Sequence, residues 1–268
     1  MKKQIFLGAL ILSAGAYAFD MKSPSEYSVK GIYNFGKING YVQIPKGGKN
    51  GTTTIGRPTF DELGINHISY PEVQFQAKWT KLAVYGNINY QTFKGNGTIK
   101  EDLITHNKKI PAESHISSKH EHISYSLGAS YDLYKINNFT VSPLGEFSFY
   151  NFKYRYSATT PSGKSISSKR AFNWGQENYG LKISYQGTDK FKMDLTMKAG
   201  IPINNLRQYY NIDLMNSYIL YNNGTNKLNL LFGMGYEKLE FKDRQDEKQN
   251  HINHKITPIY KAGFEFTF

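Results

Sequence analysis

Apolar and polar residues alternate strictly in segment after segment, and this constrains the chain more than any single motif does. In FKMDLTMKAGIPI, Phe191, Met193, Leu195, Met197, Ala199 and Ile201 fall on one face, and Lys192, Asp194, Thr196 and Lys198 on the other. ISYSLGASYDL sets Ile123, Tyr125, Leu127, Ala129, Tyr131 and Leu133 against Ser124, Ser126, Gly128, Ser130 and Asp132. KLAVYGNINYQ opposes Leu82, Val84, Ile88 and Tyr90 to Tyr85, Asn87, Asn89 and Gln91. A period of two is the period of a strand, and a helix would scramble the division.

About ten such segments recur, near 29–44, 68–80, 82–93, 120–134, 139–156, 171–186, 190–203, 210–222, 227–242 and 255–268. Their polar sides are mostly uncharged or mixed in sign, and their apolar sides carry Tyr and Phe near the ends. That is the pattern of strands with one face to lipid and one to a wet interior. The expected fold is all-β: a transmembrane antiparallel up-and-down β-barrel of about ten strands, an even number. After strands two, four, six and eight the chain turns in TK, KINN, QGTDK and NNGTNK, while longer polar, Lys- and Gly-rich segments follow strands one, three, five and nine. The link from strand seven to eight, around Asn204 to Gln208, is short. Short turns on one side and long loops on the other place both termini on the periplasmic side.

The first residues, MKKQIFLGALILSAGAYAFD, combine Lys2 and Lys3, an apolar run from Ile5 to Leu12, and Ala16-Tyr17-Ala18. This reads as a signal peptide over 1–18, cut before Phe19, leaving 19–268 as the barrel domain. The run is well short of the ~20 residues of a spanning helix. The chain has no cysteine, so its stability is expected from strand pairing and packing, without disulfides or a lipid anchor. Lys and Arg number 33 against 21 Asp and Glu, a net +12 that attracts polyanions, and no nucleic-acid signature accompanies it.

The closing stretch, YKAGFEFTF, places Tyr260, Phe264, Phe266 and the final Phe268 on one side. It resembles the C-terminal assembly signal of Gram-negative outer-membrane proteins, and with the leader and the strand plan the chain resembles small barrels of the porin and OmpA type in general. The resemblance implies an outer-membrane location, recognition by the barrel assembly machinery and a last strand that pairs with the first, since lipid cannot satisfy an open edge.

Inward positions carry Glu72, Asp132, Glu146, Asp194, Glu237 and Glu265 against Lys78, Lys182, Lys192, Lys198 and Lys261. In so narrow a barrel this balance favours an ion-pair network filling the lumen; the alternative is a path for small solutes. The remaining bases collect on loops and rims: Lys46, Lys49, Arg57, Lys94, Lys100, Lys108, Lys109, Lys119, Lys164, Lys169 and Arg170. They suit the anions of lipopolysaccharide and outer-membrane lipid, or an acidic external ligand, as an adhesin would. GRPTFDELGI carries a capping-box spacing, Thr59 to Glu62, with Gly64 ending a turn, which makes it a lid over the mouth or a compact loop.

His120 and His122 share a strand face, His106 and His115 lie in the preceding loop, and His251 and His254 near the last strand's mouth end. They come from separate sides of the rim, so no metal and no cofactor is expected. Asp102, Asp243 or Asp246 with His120 or His254 would imitate the acid and histidine groove of omptin proteases, but the resemblance ends at strand number. The His-x-Ser of lipid A deacylases occurs three times, at His67, His115 and His122, too often to mark a site. No residue is assigned a catalytic role. The expected function is a structural or surface-interaction barrel with a plugged or narrow lumen, with a solute channel, a lipid-modifying or proteolytic enzyme, and an adhesin as alternatives.

Overall fold

The computed structural model describes residues 23–43, 58–106, 108–202, 206–245 and 248–268. The leader at 1–18 and Lys46, Lys49, Arg57 and Asp246 lie outside the described residues. Ten long strands form the ring: β1 (Glu26–Gln43), β2 (His67–Lys78), β3 (Leu82–Thr98), β6 (His115–Tyr131), β8 (Phe139–Thr159), β9 (Ser165–Gln186), β10 (Phe191–Gly200), β11 (Leu206–Asn222), β12 (Lys227–Gln245) and β13 (Lys248–Thr267). Three short strands, β4 (Leu103–Thr105), β5 (Lys108–Ile110) and β7 (Tyr134–Ile136), lie outside it. Neighbours are antiparallel throughout, β6 pairs with β8, and β13 returns to β1 from Ser28↔Thr267 to Gln43↔His251. The architecture is the all-β, ten-stranded antiparallel barrel expected from the alternation.

The seam is stitched at its lower end by Tyr27 and Phe268, whose backbones exchange two 2.9 Å hydrogen bonds and whose rings stack at 5.9 Å. Phe35 and Tyr260 stack at 5.2 Å higher up. Tyr260, Phe264, Phe266 and Phe268 all face outward, each close to half exposed.

Two of the expected long loops are strand instead. β8 and β9 stay paired up to Thr159↔Ser165, and β12 and β13 up to Gln245↔Lys248. β3 and β6 likewise continue to Thr98↔His115. These extensions carry polar side chains where a lipid-facing strand would carry apolar ones, which is why they read as loop.

The side chains explain the extensions. In β12 the outward positions Leu228, Leu230, Phe232, Met234 and Tyr236 are apolar, then Lys238, Glu240 and Lys242 follow. Inward, Asn229, Gly233, Gly235 and Glu237 give way to the buried Leu239 and Phe241. β8 does the same: Phe147 and Phe149 point out, whereas Tyr150, Phe152, Tyr154, Tyr156 and Ala158 are buried inside and Lys153 and Arg155 face out. The apolar face changes sides within one continuous strand. From Leu228 to Tyr236 the outer belt spans ~26 Å along the strand at ~3.3 Å per residue, ~20 Å in height after tilt, close to the apolar band of outer-membrane barrels. Above it the wall stands in water and its inside becomes a hydrophobic core.

Phe232 lies mid-belt, so Phe232→Arg is expected to destabilise the folded barrel in lipid vesicles by about 2–4 kcal/mol. Lys238→Arg, above the belt, should leave the urea unfolding midpoint in the same vesicles unchanged.

Candidate functional site: a charged lumen beneath a sealed mouth

Within the belt, alternation delivers every inward charge to one narrow space. Lys198 Nζ meets Glu146 at 3.0 and 3.2 Å, and Asn178 Nδ2 and Ser148 Oγ donate to the same carboxylate at 3.0 and 3.1 Å. Lys261 lies 2.7 Å from Asp213 and 3.9 Å from Glu72, and Asn87 donates to Glu72 at 2.8 Å. Lower down, Lys182 and Lys192 approach Asp194 at 3.3 and 3.1 Å, Lys30 approaches Glu265 at 3.5 Å, and Lys78 approaches Asp132 at 3.6 Å. Glu237 accepts from His254 Nε2 at 3.0 Å when the histidine carries its proton there. Lys30 and Asp213 were not among the inward charges read from the sequence, and they add one of each sign. Asp213 was legible, because Tyr210, Ile212 and Leu214 alternate with Asn211 and Asp213. Charges this close in a narrow bore hold one another and leave little free volume. A cavity of about 50 Å³, bordered by Glu72, Glu146, Lys198, Lys261, His122 and Tyr150, has room for a few waters.

Above that cavity the bore is plugged by rings. Trp174 stacks on Tyr150 at 4.8 Å and on Phe241 at 4.4 Å, and His122 stacks on Tyr150 at 5.2 Å. Higher still, His120 packs against Tyr154 at 4.2 Å and Phe60 at 5.5 Å. Phe60 belongs to the first long loop, where the capping box forms. Glu62 Oε2 accepts from Thr59 N at 2.8 Å and from Thr59 Oγ1 at 2.6 Å, and Glu62 N donates to Thr59 Oγ1 at 3.2 Å. Gly64 ends the turn at φ +70°, with Asn96 O only 2.2 Å from where a Cβ would stand. Gly95 faces Leu63 O equally closely, at 2.1 Å, so the turn lies directly on β3. Phe60, Leu63 and Ile65 are thereby buried, joined by Ile99 just beyond β3 and by Leu103 and Ile110 of the β4–β5 hairpin. The turn is compact and bonded to β1, with Val42 N donating to Pro58 O and Phe60 N to Gly40 O, both at 3.0 Å, and it turns Phe60, Leu63 and Ile65 into the core.

The turn also occupies a gap in the wall. β2 pairs with β1 up to Lys37↔His67, but its pairing with β3 stops at Glu72↔Asn89. Pro71, which has no N–H, sits in the part of β2 that is free of β3.

The remaining candidates are dispersed. Asp102 is half exposed, paired with Lys109 at 2.6 Å and receiving the Ala112 N–H at 2.9 Å; the Lys109 bond holds its carboxyl below the usual range. His120 is fully buried, with neither nitrogen partnered. The side chain of Asp243 lies outside the described residues. No acid and histidine groove of the omptin kind is assembled from these groups. His115 is exposed near Thr98, and His251 bonds Glu240 at 3.1 Å on the outer side. No group of three metal-binding side chains occurs among the described residues. Burial pushes the imidazoles above the belt down: His120 to about 3, and His106, with Arg170 and Lys108 adding repulsion, to about 4.

No family model and no curated protein sequence matches the chain. Among solved structures, it is similar to the outer membrane protease OmpT of Escherichia coli, at 12% identity and a TM-score of 0.51 over 93% of this chain and 99% of that one. The chain has the fold of a small Gram-negative outer-membrane β-barrel. Ail, the attachment invasion locus protein of Yersinia pestis, matches at 12% identity and a TM-score of 0.38, covering 92% of this chain and 100% of that one. OprG of Pseudomonas aeruginosa matches at 9% identity and 0.37, covering 92% and 97%. At these identities the barrel shares a fold with its neighbours and nothing finer.

Two outcomes follow from the interior. Lys198→Ala strands the buried Glu146 carboxylate and is expected to cost about 3–5 kcal/mol, whereas Lys198→Met with Glu146→Gln should recover most of it in denaturant unfolding. At the mouth, opening lets His120 and His106 return to an ordinary pKa near 6.5. The closed form therefore binds fewer protons than the open one, and its stability is whole above that pH and lost as pH falls towards 4. The protection factors for amide exchange at Phe60, Leu63 and Leu103, taken relative to the intrinsic rate at each pH, should fall between pH 7 and 4, and His120→Phe should flatten that fall to the part owed to His106.

Proposed function

We propose that this barrel is closed to solute flow and acts at its outer surface, as a structural and surface-binding element of the outer membrane. The supporting observation is obstruction at two successive depths: a paired lattice of charges within the belt, and a stack of rings sealed by the lid above it. Neither layer is a loose loop. Displacing the lattice would strand buried charges, and opening the mouth would wet an apolar core. The channel reading needs a continuous water path, and the cavity among the paired charges, about 50 Å³, holds no more than a few waters. The stacked rings of His120 and the ion-paired state of Asp102 supply no nucleophile or base open to substrate, so the enzymatic reading has no support from these residues. The outward Tyr260, Phe264, Phe266 and Phe268, on the strand that closes the seam, are the surface through which the barrel assembly machinery would take hold of the chain.

Purified barrel inserted into planar bilayers tests the closed bore. Inserted protein is expected to give no steady open-channel current at either polarity in molar salt; a reproducible unitary conductance would overturn the proposal. Replacing the Phe60–Ile65 segment with a Gly-Ser turn should still leave the membrane silent, because the charge lattice beneath remains.

A further inference from the structure

The outer wall above the belt carries a feature that a closed bore does not require. Strand register places Lys94 of β3 opposite Lys119 of β6, Lys119 opposite Arg155 of β8, and Arg155 opposite Lys169 of β9. Four bases on four adjacent strands thus form one row on the water-facing side, within ~15 Å at ~4.8 Å per strand. Lys153 adds a fifth charge two residues lower, opposite Glu121. Glu121 pairs with Lys119 and its carboxylate also feels Arg155 and Lys153, so one acid stands among these five bases and leaves the patch strongly positive; Lys94, Lys153, Arg155 and Lys169 form no ion pair within 4.0 Å among the described residues. Like charges set directly opposite each other destabilise a sheet, so a barrel that keeps such a row has a use for the anion that would neutralise it.

The height of the row and its surroundings say which anion. Four residues separate Lys119 from Ile123, at the top of the apolar belt and opposite Tyr90. That is ~13 Å along the strand and ~10 Å in height after tilt, the level of lipid headgroups. At the β3 end, Lys94 also borders a groove of about 870 Å³ on the outer wall, where β2 parts from β3. Phe35 and Tyr260 floor that groove at belt level, and Lys37 and His67 stand above them. A ligand held here is apolar below, sugar-sized at the rings and anionic above.

We propose that Lys94, Lys119, Arg155 and Lys169 form a phosphate-binding ladder for a phosphorylated glycolipid of the outer leaflet, with the groove beside Lys94 taking its saccharide. The inference rests on the surface-acting half of the function proposed above and not on the closed bore. A conducting barrel would leave it standing, and a ladder that failed to bind would leave the bore closed.

The test compares wild type with a variant carrying Lys94→Gln, Lys119→Gln, Arg155→Gln and Lys169→Gln. A control carries Lys81→Gln, Lys135→Gln and Lys190→Gln at the opposite end. Binding of a diphosphorylated lipid A and of its dephosphorylated form is measured in detergent micelles by native mass spectrometry. Wild type and control are expected to prefer the diphosphorylated lipid, and the ladder variant should lose about tenfold or more of that affinity. Raising salt should erase the difference. Equal binding by the ladder variant, or no preference for phosphate in wild type, would overturn the proposal. Full displacement of the lipid by equimolar inorganic phosphate would reduce the site to a free-anion site and overturn the glycolipid assignment. Thermal unfolding supplies a second reading. In lipid-free detergent at low salt the ladder variant should be at least as stable as wild type, its repulsion being gone, and adding the diphosphorylated lipid should raise the midpoints of wild type and control well above any rise in the ladder variant. A ladder variant less stable than wild type without lipid would contradict the excess of positive charge on which the proposal stands, and the single variant Arg155→Gln allows the same comparison should the fourfold change fail to fold.

Discussion

The long strands of this barrel, β8 and β12 among them, cross from oil into water without interruption, and their side chains rearrange around that boundary. Below the level of Tyr236 and Phe149, outward apolar groups meet lipid and inward polar groups meet one another. Above it, Lys238, Glu240, Lys153 and Arg155 face water, and Leu239, Phe241, Tyr154 and Tyr156 turn inward. The backbone is the same ladder of hydrogen bonds throughout. What changes is which side of the wall expels water, and so the tube holds a polar lattice in its lower half and a hydrophobic core in its upper half.

Those two halves shape each other. A hydrophobic core needs closure at its top, and Phe60, Leu63 and Ile65 provide it from a turn held by Thr59, Glu62 and Gly64. The same turn fills the wall where β2 and β3 part. Beneath it, Lys198 with Glu146 and Lys261 with Asp213 are ion pairs out of bulk water. Their net contribution to stability is modest, but neither partner can be removed alone without leaving a bare charge. The lattice therefore sets which inward residues tolerate change, while the core sets whether the mouth stays shut. On the function proposed here, the surface that acts is the outer wall above the belt and the rim.

Much of this was legible in the residues. The alternation of 191–201 and 123–133 named the faces, and the inward charges Glu146, Asp194, Lys182, Lys198 and Lys261 were readable one by one. The capping box at Thr59 was also visible, although its position inside the mouth was not. What was missed was the reversal of phase. In FSFYNFKYRY the apolar residues step from 147 and 149 to 150, 152, 154 and 156, which marks a change of face within the strand expected over 139–156, and read with a single lipid-facing side throughout those residues lost their inward role. The buried Ile99, Leu103 and Ile110 were hidden in the same way, as isolated apolar residues among lysines.

The sequence by itself determined that the chain is a barrel of about ten strands and which side chains share a face, because a period of two is a local property that each residue passes to its neighbours. Only the tertiary structure decided that Phe60, Leu63 and Ile65 join a buried core, that Lys30 meets Glu265 and Asp213 meets Lys261, and that four bases from four strands stand in one row. Those outcomes depend on inter-strand register and on where the membrane surface cuts the wall. Both are set by pairing and burial between residues far apart in the chain, which alternation within a single strand does not encode.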